Sequence, residues 1–126
     1  MSKAFFATAV FAASALVVSP ALADPAYLVA TISVTDWDAY QNKYASVAIP
    51  AIVAAGGEVL VADAEVKVVE GAYAHNWTVV VKFPSEADAI GFYGSPAYEA
   101  VIPERHNATD VETSVLLLAA QFVPAK

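Results

Sequence analysis

The stretch 76-NWTVVVKFPSEADAIGFYGSP-96 decides the fold, because a strand pattern passes directly into a helix pattern within it. Residues 76–83 are rich in β-branched and aromatic side chains, which favour a strand. Ser85 stands three residues before Asp88, which is the spacing of a helix N-cap. The Ser-Pro pair at 95–96 then starts a further short helix, with proline at the first helical position. The stretch predicts a strand followed by two helical segments.

A strand and a long helix precede this stretch. Residues 26–34 (AYLVATISV) are β-rich and free of charge, which favours a strand. Thr35 and Asp36 then open a helix, with Asp38 at capping-box spacing from Thr35. Apolar positions recur along this helix at intervals of three and four residues, which predicts one buried face. These positions are Trp37, Tyr40, Tyr44, Val47, Ala48, Ala51, Ile52 and Ala55.

Proline and glycine mark the end of that helix. Pro50 lies inside the helical pattern and predicts a kink, because its ring clashes with the preceding turn and it lacks an N–H. The Gly-Gly pair at 56–57 ends the helix. Residues 58–62 and 65–70 resemble two strand arms around a short turn, and residues 112–122 resemble a last strand, although VLLLAAQ alone is also compatible with a helix.

The order β-α-β-β-α-β is that of an α+β ferredoxin-like sandwich, in which an antiparallel sheet carries both helices on one face. The other face of such a sheet is normally polar. Here residues 27–32, 77–83 and 115–118 carry apolar side chains in both of their alternating sets. We therefore expect a homodimer that packs through its helix-free sheet faces as a dimeric α/β barrel. The alternative is a monomer with a moderately apolar open face.

The amino-terminal residues carry the pattern of a signal peptide. Lys3 is followed by an uncharged run over residues 4–18, and Ala21-Leu22-Ala23 fits an A-x-A cleavage site. The run is shorter than the roughly 20 residues of a spanning helix. We expect residues 1–23 to be cleaved, leaving residues 24–126 as a single ferredoxin-like domain with no membrane anchor. The localisation expected is exported, either periplasmic or secreted.

Composition excludes several classes of function. The chain has a formal net charge of −7 and no cluster of Lys or Arg, so nucleic acid is not an expected partner. Without cysteine it has no disulfide, thiolate nucleophile or Cys-ligated metal. The two histidines, His75 and His106, lack the spacing of a metal motif. We predict no metal site and no cofactor; a haem would depend on one of these two histidines as its axial ligand.

The chain resembles a known family through several stretches in a fixed order. They are 27-YLVATISVTDWDAYQNKY-44, 48-AIPAIVAAGGE-58, 69-VEG-71 and 79-VVVKFPSEADAIGFYGSPAYEAVIPERHNAT-109. On these motifs it resembles the family of domains of unknown function numbered 1330, within the dimeric α/β-barrel superfamily. The resemblance implies a ferredoxin-like protomer and a dimer built through the sheets. Members often carry an arginine where this chain has Glu58, whereas Arg105 falls where the family commonly places one.

Arg105 and His106 are the first candidates for a ligand site. Arg105 is the only arginine, and it could anchor a ligand carboxylate or enolate at the mouth of a helix–sheet pocket. His106 could accept a proton near neutral pH, and Tyr40 and Tyr93 could line the same pocket. The alternative is that both cations sit in the last turn of a short helix, where they favour the helix dipole and neighbouring carboxylates such as Glu104.

Three functions remain compatible with these residues. The first is a binding module for a small, partly apolar or anionic molecule. The second is a cofactor-independent oxygenase or isomerase acting on a small aromatic or enolisable substrate, with His106 as base and Arg105 as charge stabiliser. The third is a structural or stress-related envelope protein without a pocket.

Overall fold

The computed structural model describes residues 23–125, so the expected signal peptide at residues 1–23 lies, except for its last residue, outside the described part. The sheet contains four strands: β1 (Ala26–Ile32), β2 (Glu58–Asp63), β3 (Trp77–Phe83) and β4 (Val115–Ala120). The first helical region, residues 37–54, comprises α1 (Trp37–Ala39), a π-helical turn (Tyr40–Ala45) and α2 (Ser46–Ala54). The second helical region, residues 86–107, comprises α3 (Glu86–Tyr93), α4 (Pro96–Glu99) and α5 (Ile102–Asn107).

The strands form one sheet in the order β2-β3-β1-β4. β1 lies in the centre and pairs antiparallel with both β3 and β4, while β2 pairs antiparallel with β3. The two crossovers from β1 to β2 and from β3 to β4 carry the two helical regions. This is the split βαβ arrangement, so the predicted α+β ferredoxin-like fold is confirmed.

Helix starts follow the predicted cap chemistry with one correction. The Ser85 side chain accepts a hydrogen bond from the Asp88 N–H at 3.0 Å, and the Ser95 side chain accepts one from the Tyr98 N–H at 3.3 Å. At the first helix the cap is Asp36, whose Oδ1 accepts from the Ala39 N–H at 3.0 Å. The capping box expected at Thr35 is therefore wrong.

The first helical region contains both Pro50 and a π-helical turn. Its inward residues are spaced by four, and four α-helical residues advance about 40° beyond a full turn. A π-helical turn is wider and reduces this overshoot. The turn thereby keeps a single buried line of side chains, which consists of Tyr40, Tyr44, Ala48 and Ile52.

Both glycines after α2 are required by their surroundings. Gly56 has a φ of 81°, in the region that favours glycine. A Cβ on Gly57 would lie 2.6 Å from Cγ2 of Ile52 and 2.9 Å from Cε1 of Phe83. Because Phe83 is fully buried in β3, the Gly57 contact fixes the helix end against the sheet.

The predicted strand at residues 65–70 is wrong. The β2–β3 pairing closes at Asp63 and Thr78, and residues 64–76 form an irregular connection. The segment pairs with no strand of the sheet, although β2 has a free outer edge, and Val69 is 97 % exposed. The last strand is also shorter than expected, since β4 spans six residues within the predicted 112–122.

The two faces of the sheet differ in what covers them. Ala26, Ile32 and Phe83 face the helices and are buried. Opposite them, alternate residues face away from the helices, and Leu117 is 57 % exposed. The open face has an apolar centre formed by Val29, Val61, Val80 and Leu117. No helix within residues 23–125 is long and apolar enough to cross a membrane.

Candidate functional site

A partly enclosed cavity of about 100 Å³ lies between the first helical region and the helix-facing side of the sheet. Its walls are almost entirely apolar, with Leu28, Ile52 and Val81 among the contributors. The lining residues Ile49 and Val59 are exposed, which places the opening between α2 and β2. The polar groups of the lining belong to four aromatic residues: Tyr40, Tyr44, Trp77 and Tyr98.

Two of these tyrosines are paired through their hydroxyl groups. The Tyr44 and Tyr98 hydroxyls lie 2.8 Å apart in the interior. The ring centroids of Tyr40 and Tyr44 are 5.0 Å apart, and those of Tyr44 and Tyr98 are 6.1 Å apart. The helical spacing of Tyr40 and Tyr44 and the α4 position of Tyr98 thus build one continuous aromatic wall.

Burial controls the ionisation of this wall. Desolvation raises the pKa of Tyr40 to about 12, against the opposing effects of the nearby Trp77 side chain and of the Arg105 charge. Burial also raises the pKa of Tyr44, and the neighbouring Tyr98 adds to the effect. Both groups therefore stay protonated at neutral pH, so each can donate a hydrogen bond.

Arg105 lies behind these tyrosines. It projects from α5, which packs against the π-helical turn, and the residue is only 5 % exposed. Its Nε has no hydrogen-bond partner, and no carboxylate of residues 23–125 comes within the ion-pair distance of 4.0 Å. Its charge acts on both Tyr40 and Tyr44, although Arg105 itself is not part of the cavity wall. No carboxylate of the described residues therefore neutralises this charge directly.

The other predicted site residues lie elsewhere. His106, next to Arg105 in α5, is exposed and is not part of the cavity wall. Tyr93 is 45 % exposed and lines a separate groove between α3 and β4, although its ring is 5.4 Å from that of Tyr98. The structure therefore brings together Arg105 and Tyr40, and it separates His106 and Tyr93 from the cavity.

Sequence reasoning missed three residues of the wall as ligand candidates: Tyr44, Trp77 and Tyr98. The four-residue spacing from Tyr40 could have indicated Tyr44. Trp77 lies on the same sheet face as Val79 and Val81, so strand alternation could have indicated its direction. Tyr98 had no local signal, because its position depends on how α4 packs against the first helical region.

A second polar cluster lies at one end of the sheet. Ser33 Oγ is 3.3 Å from His75 Nδ1 and accepts a hydrogen bond from Thr113 at 3.0 Å. These contacts connect the loop before β3 to the end of β1, so the cluster has a structural role. Within residues 23–125 no group of three His, Asp or Glu side chains is arranged to hold a metal ion.

Comparisons with known proteins identify the fold and a family. The family model described as "Domain of unknown function (DUF1330)" matches residues 25–118. No protein with a curated description matches the sequence. The structure of RPA0582, a protein of unknown function from Rhodopseudomonas palustris, is similar at 18 % identity with a TM-score of 0.63, covering 80 % of this chain and 85 % of that one. The methylated form of RPA0582 is similar at 19 % identity with a TM-score of 0.64, and the match covers 82 % of this chain and 85 % of that one.

A third structure is that of a candidate antibiotic biosynthesis monooxygenase from Caulobacter crescentus CB15. It is 13 % identical with a TM-score of 0.53, and the match covers 81 % of this chain and 93 % of that one. Identities this low establish a shared fold and leave the chemistry of each protein to its own site.

Proposed function

The chain belongs to the DUF1330 family, and on that premise we propose that it is an exported homodimer that binds a small, partly apolar or anionic molecule in the cavity between its first helical region and its sheet. One observation carries the binding proposal: an otherwise apolar cavity has three tyrosines in its wall, and the hydroxyl of one of them, Tyr40, is not paired with another side chain. Small-molecule sites combine apolar walls with a few polar groups in this way. The cavity also distinguishes this proposal from a structural envelope protein without a pocket.

The size of the cavity limits the ligand. An apolar cavity of about 150 Å³ holds benzene, whereas this one is about 100 Å³. The part of the ligand that the cavity encloses is therefore smaller than benzene, about four or five heavy atoms, and a larger ligand continues through the opening between Ile49 and Val59.

The homodimer is proposed to form through the open face of the sheet. The centre of that face is apolar, and its cross-strand pair Glu58 and Lys82 joins opposite charges at one end. A second copy of the same surface would cover the apolar centre and match opposite charges at the periphery. The monomer remains the competing state.

Export is proposed from the sequence pattern of residues 1–23. The measurement is the amino-terminal sequence of the protein recovered after expression in a host with a secretion system. A start at Asp24 supports export, and a chain that retains residue 1 in the cytoplasm contradicts it.

The oxygenase or isomerase alternative receives less support from the site. It needs a base beside the substrate, and His106 lies outside the cavity wall. The similarity to the Caulobacter crescentus protein is a similarity of fold alone. Binding without turnover is the function that the cavity supports best.

The binding proposal is tested by blocking the cavity. Ala48 lies in the wall and is buried, whereas Ala54 on the same helix is exposed and lies outside the wall. Phenol and isobutyramide are titrated against wild type, Ala48→Leu and Ala54→Leu, with binding followed by calorimetry and thermal shift. Dissociation constants of the order of 1 mM are expected for wild type and Ala54→Leu. Binding that is unchanged in Ala48→Leu, or absent in wild type, contradicts the proposal.

A further inference from the structure

The strongest unexplained feature of the described residues is the charge of Arg105. A guanidinium stays ionised at all ordinary pH values, and burying an ion without a partner is costly. Arg105 is 5 % exposed, its Nε is unpartnered, and no described carboxylate is at ion-pair distance. Its place in the last turn of α5 gives only the partial compensation of a short helix dipole. The interior around α5 therefore favours a bound negative charge.

The charge is directed toward the cavity through two tyrosines. Arg105 lies on α5, which packs against the π-helical turn that carries Tyr40 and Tyr44, and both tyrosines form part of the cavity wall. An anion in the cavity would thus meet hydroxyl donors first, with the guanidinium behind them. In an apolar environment such an interaction is much stronger than in water.

The two hydroxyls are not equally available. The Tyr44 hydroxyl is already paired with that of Tyr98 at 2.8 Å. The Tyr40 hydroxyl makes no side-chain hydrogen bond among the described residues, and Tyr40 is part of the cavity wall, so its O–H remains for a ligand. A ligand oxygen that accepts a hydrogen bond fits this position.

We propose that the molecule bound in the cavity is a small monoanion, a carboxylate with a compact branched or aromatic body, whose charged oxygen accepts from Tyr40 in the field of Arg105. This inference rests on the proposed binding function and specifies its ligand class. The apolar body packs against Leu28, Ile52 and Val81, and the carboxylate lies at the tyrosine wall. Arg105 acts as a positioning and charge-compensating residue, because it does not itself line the cavity.

The test compares two probes of nearly equal shape that differ in charge, isobutyrate and isobutyramide. At neutral pH the acid is ionised and the amide is neutral. Calorimetric titration of the wild-type protein is expected to give at least about tenfold tighter binding for isobutyrate. Equal binding of the two probes overturns the charge inference and leaves the binding function standing. Absence of binding for both probes and for phenol overturns the binding function as well.

Variants assign the preference to Arg105. Arg105→Gln is expected to abolish the preference for isobutyrate, and Arg105→Lys is expected to retain most of it. Lys43→Gln removes an exposed cation from the π-helical turn and serves as the matched control with an unchanged preference. Tyr40→Phe leaves Arg105 in place and is expected to weaken isobutyrate binding about tenfold while isobutyramide binding changes less. Retention of the full preference in both Arg105→Gln and Tyr40→Phe overturns the assignment.

Discussion

The hydroxyl groups of Tyr44 and Tyr98 lie 2.8 Å apart although the residues are 54 positions apart in the sequence. Their bond joins the first helical region to α4 and forms one side of the cavity. Each hydroxyl is buried, so removal of either leaves the other without this partner.

Tyr44→Phe and Tyr98→Phe are each expected to lower the free energy of unfolding by about 1 to 2 kcal/mol. The double variant is expected to lose little more than a single one, because the first substitution already breaks the bond. Urea unfolding measures the free energies of unfolding of the two single variants and of the double variant. Tyr93→Phe, which removes an exposed hydroxyl, is the control. Fully additive losses would show that the two hydroxyls are not coupled.

Replacing glycine by alanine is expected to change the free energy of unfolding in opposite directions at Gly57 and Gly91. Gly57→Ala places a methyl group 2.6 Å from Ile52 and 2.9 Å from Phe83, so we expect a loss of about 2 kcal/mol or more of unfolding free energy. Gly91 lies within α3 with open space where its Cβ would be, and Gly91→Ala is expected to gain about 0.5 to 1 kcal/mol. Chemical denaturation of both variants checks the pair. A neutral Gly57→Ala would contradict the close packing of the helix end.

The raised pKa of Tyr40 predicts a loss of stability in alkali. In the unfolded chain Tyr40 ionises near the ordinary tyrosine pKa of 10.0, and in the folded protein its pKa is about 12. As the pH rises, Tyr40 loses its proton first in the unfolded chain. The free energy of unfolding therefore falls between about pH 10 and about pH 12. The difference of two pKa units corresponds to about 2 to 3 kcal/mol of unfolding free energy. This stability is fully present below about pH 10. Tyr44, whose pKa burial also raises, adds to the same trend.

Urea unfolding at about pH 9 and about pH 11 measures this loss, and Tyr40→Phe is expected to reduce it. Tyr93→Phe again supplies the control, since Tyr93 is 45 % exposed whereas Tyr40 is buried. Equal alkaline losses in wild type and Tyr40→Phe would be incompatible with a buried Tyr40 hydroxyl.

The dimer proposal predicts that only one apolar surface responds to a new charge. Leu117 lies on the open face of the sheet, whereas Val53 is exposed on α2. Leu117→Asp is expected to convert a dimer of residues 24–126 into a monomer, because the charge would be buried in the interface. Val53→Asp is expected to leave the dimer intact. Sedimentation velocity at micromolar concentration distinguishes these outcomes, and a monomeric wild type would exclude the dimer.

Local chemistry made much of the fold predictable. The cap at Ser85 and the Gly-Gly helix end depend on neighbouring residues, and both are found where the sequence places them. The strand expected at residues 65–70 is wrong, because β2 ends at Asp63 and the segment crosses to β3 as an irregular connection. Its residue pattern is compatible with a strand, but the pattern does not show whether the segment pairs with a neighbour.

The site was less accessible to sequence reasoning. Arg105 stood out because it is the only arginine, yet its burial depends on how α5 packs against the π-helical turn. His106 is its sequence neighbour and points to the exterior, since adjacent helical residues do not face the same side. Tyr98 reaches Tyr44 only through the tertiary arrangement. Residue type indicated the chemistry, and the contacts between elements decided which residues share the cavity.

The most direct test of the central claim is a methyl NMR titration of the wild-type protein with isobutyrate. The account predicts saturable shifts of the cavity methyl groups, led by Ile52, Val81 and Leu28. Ile90, in the separate groove between α3 and β4, is predicted to shift little. Shifts confined to Ile90 and its neighbours, or no saturable shift at all, would contradict ligand binding in the cavity.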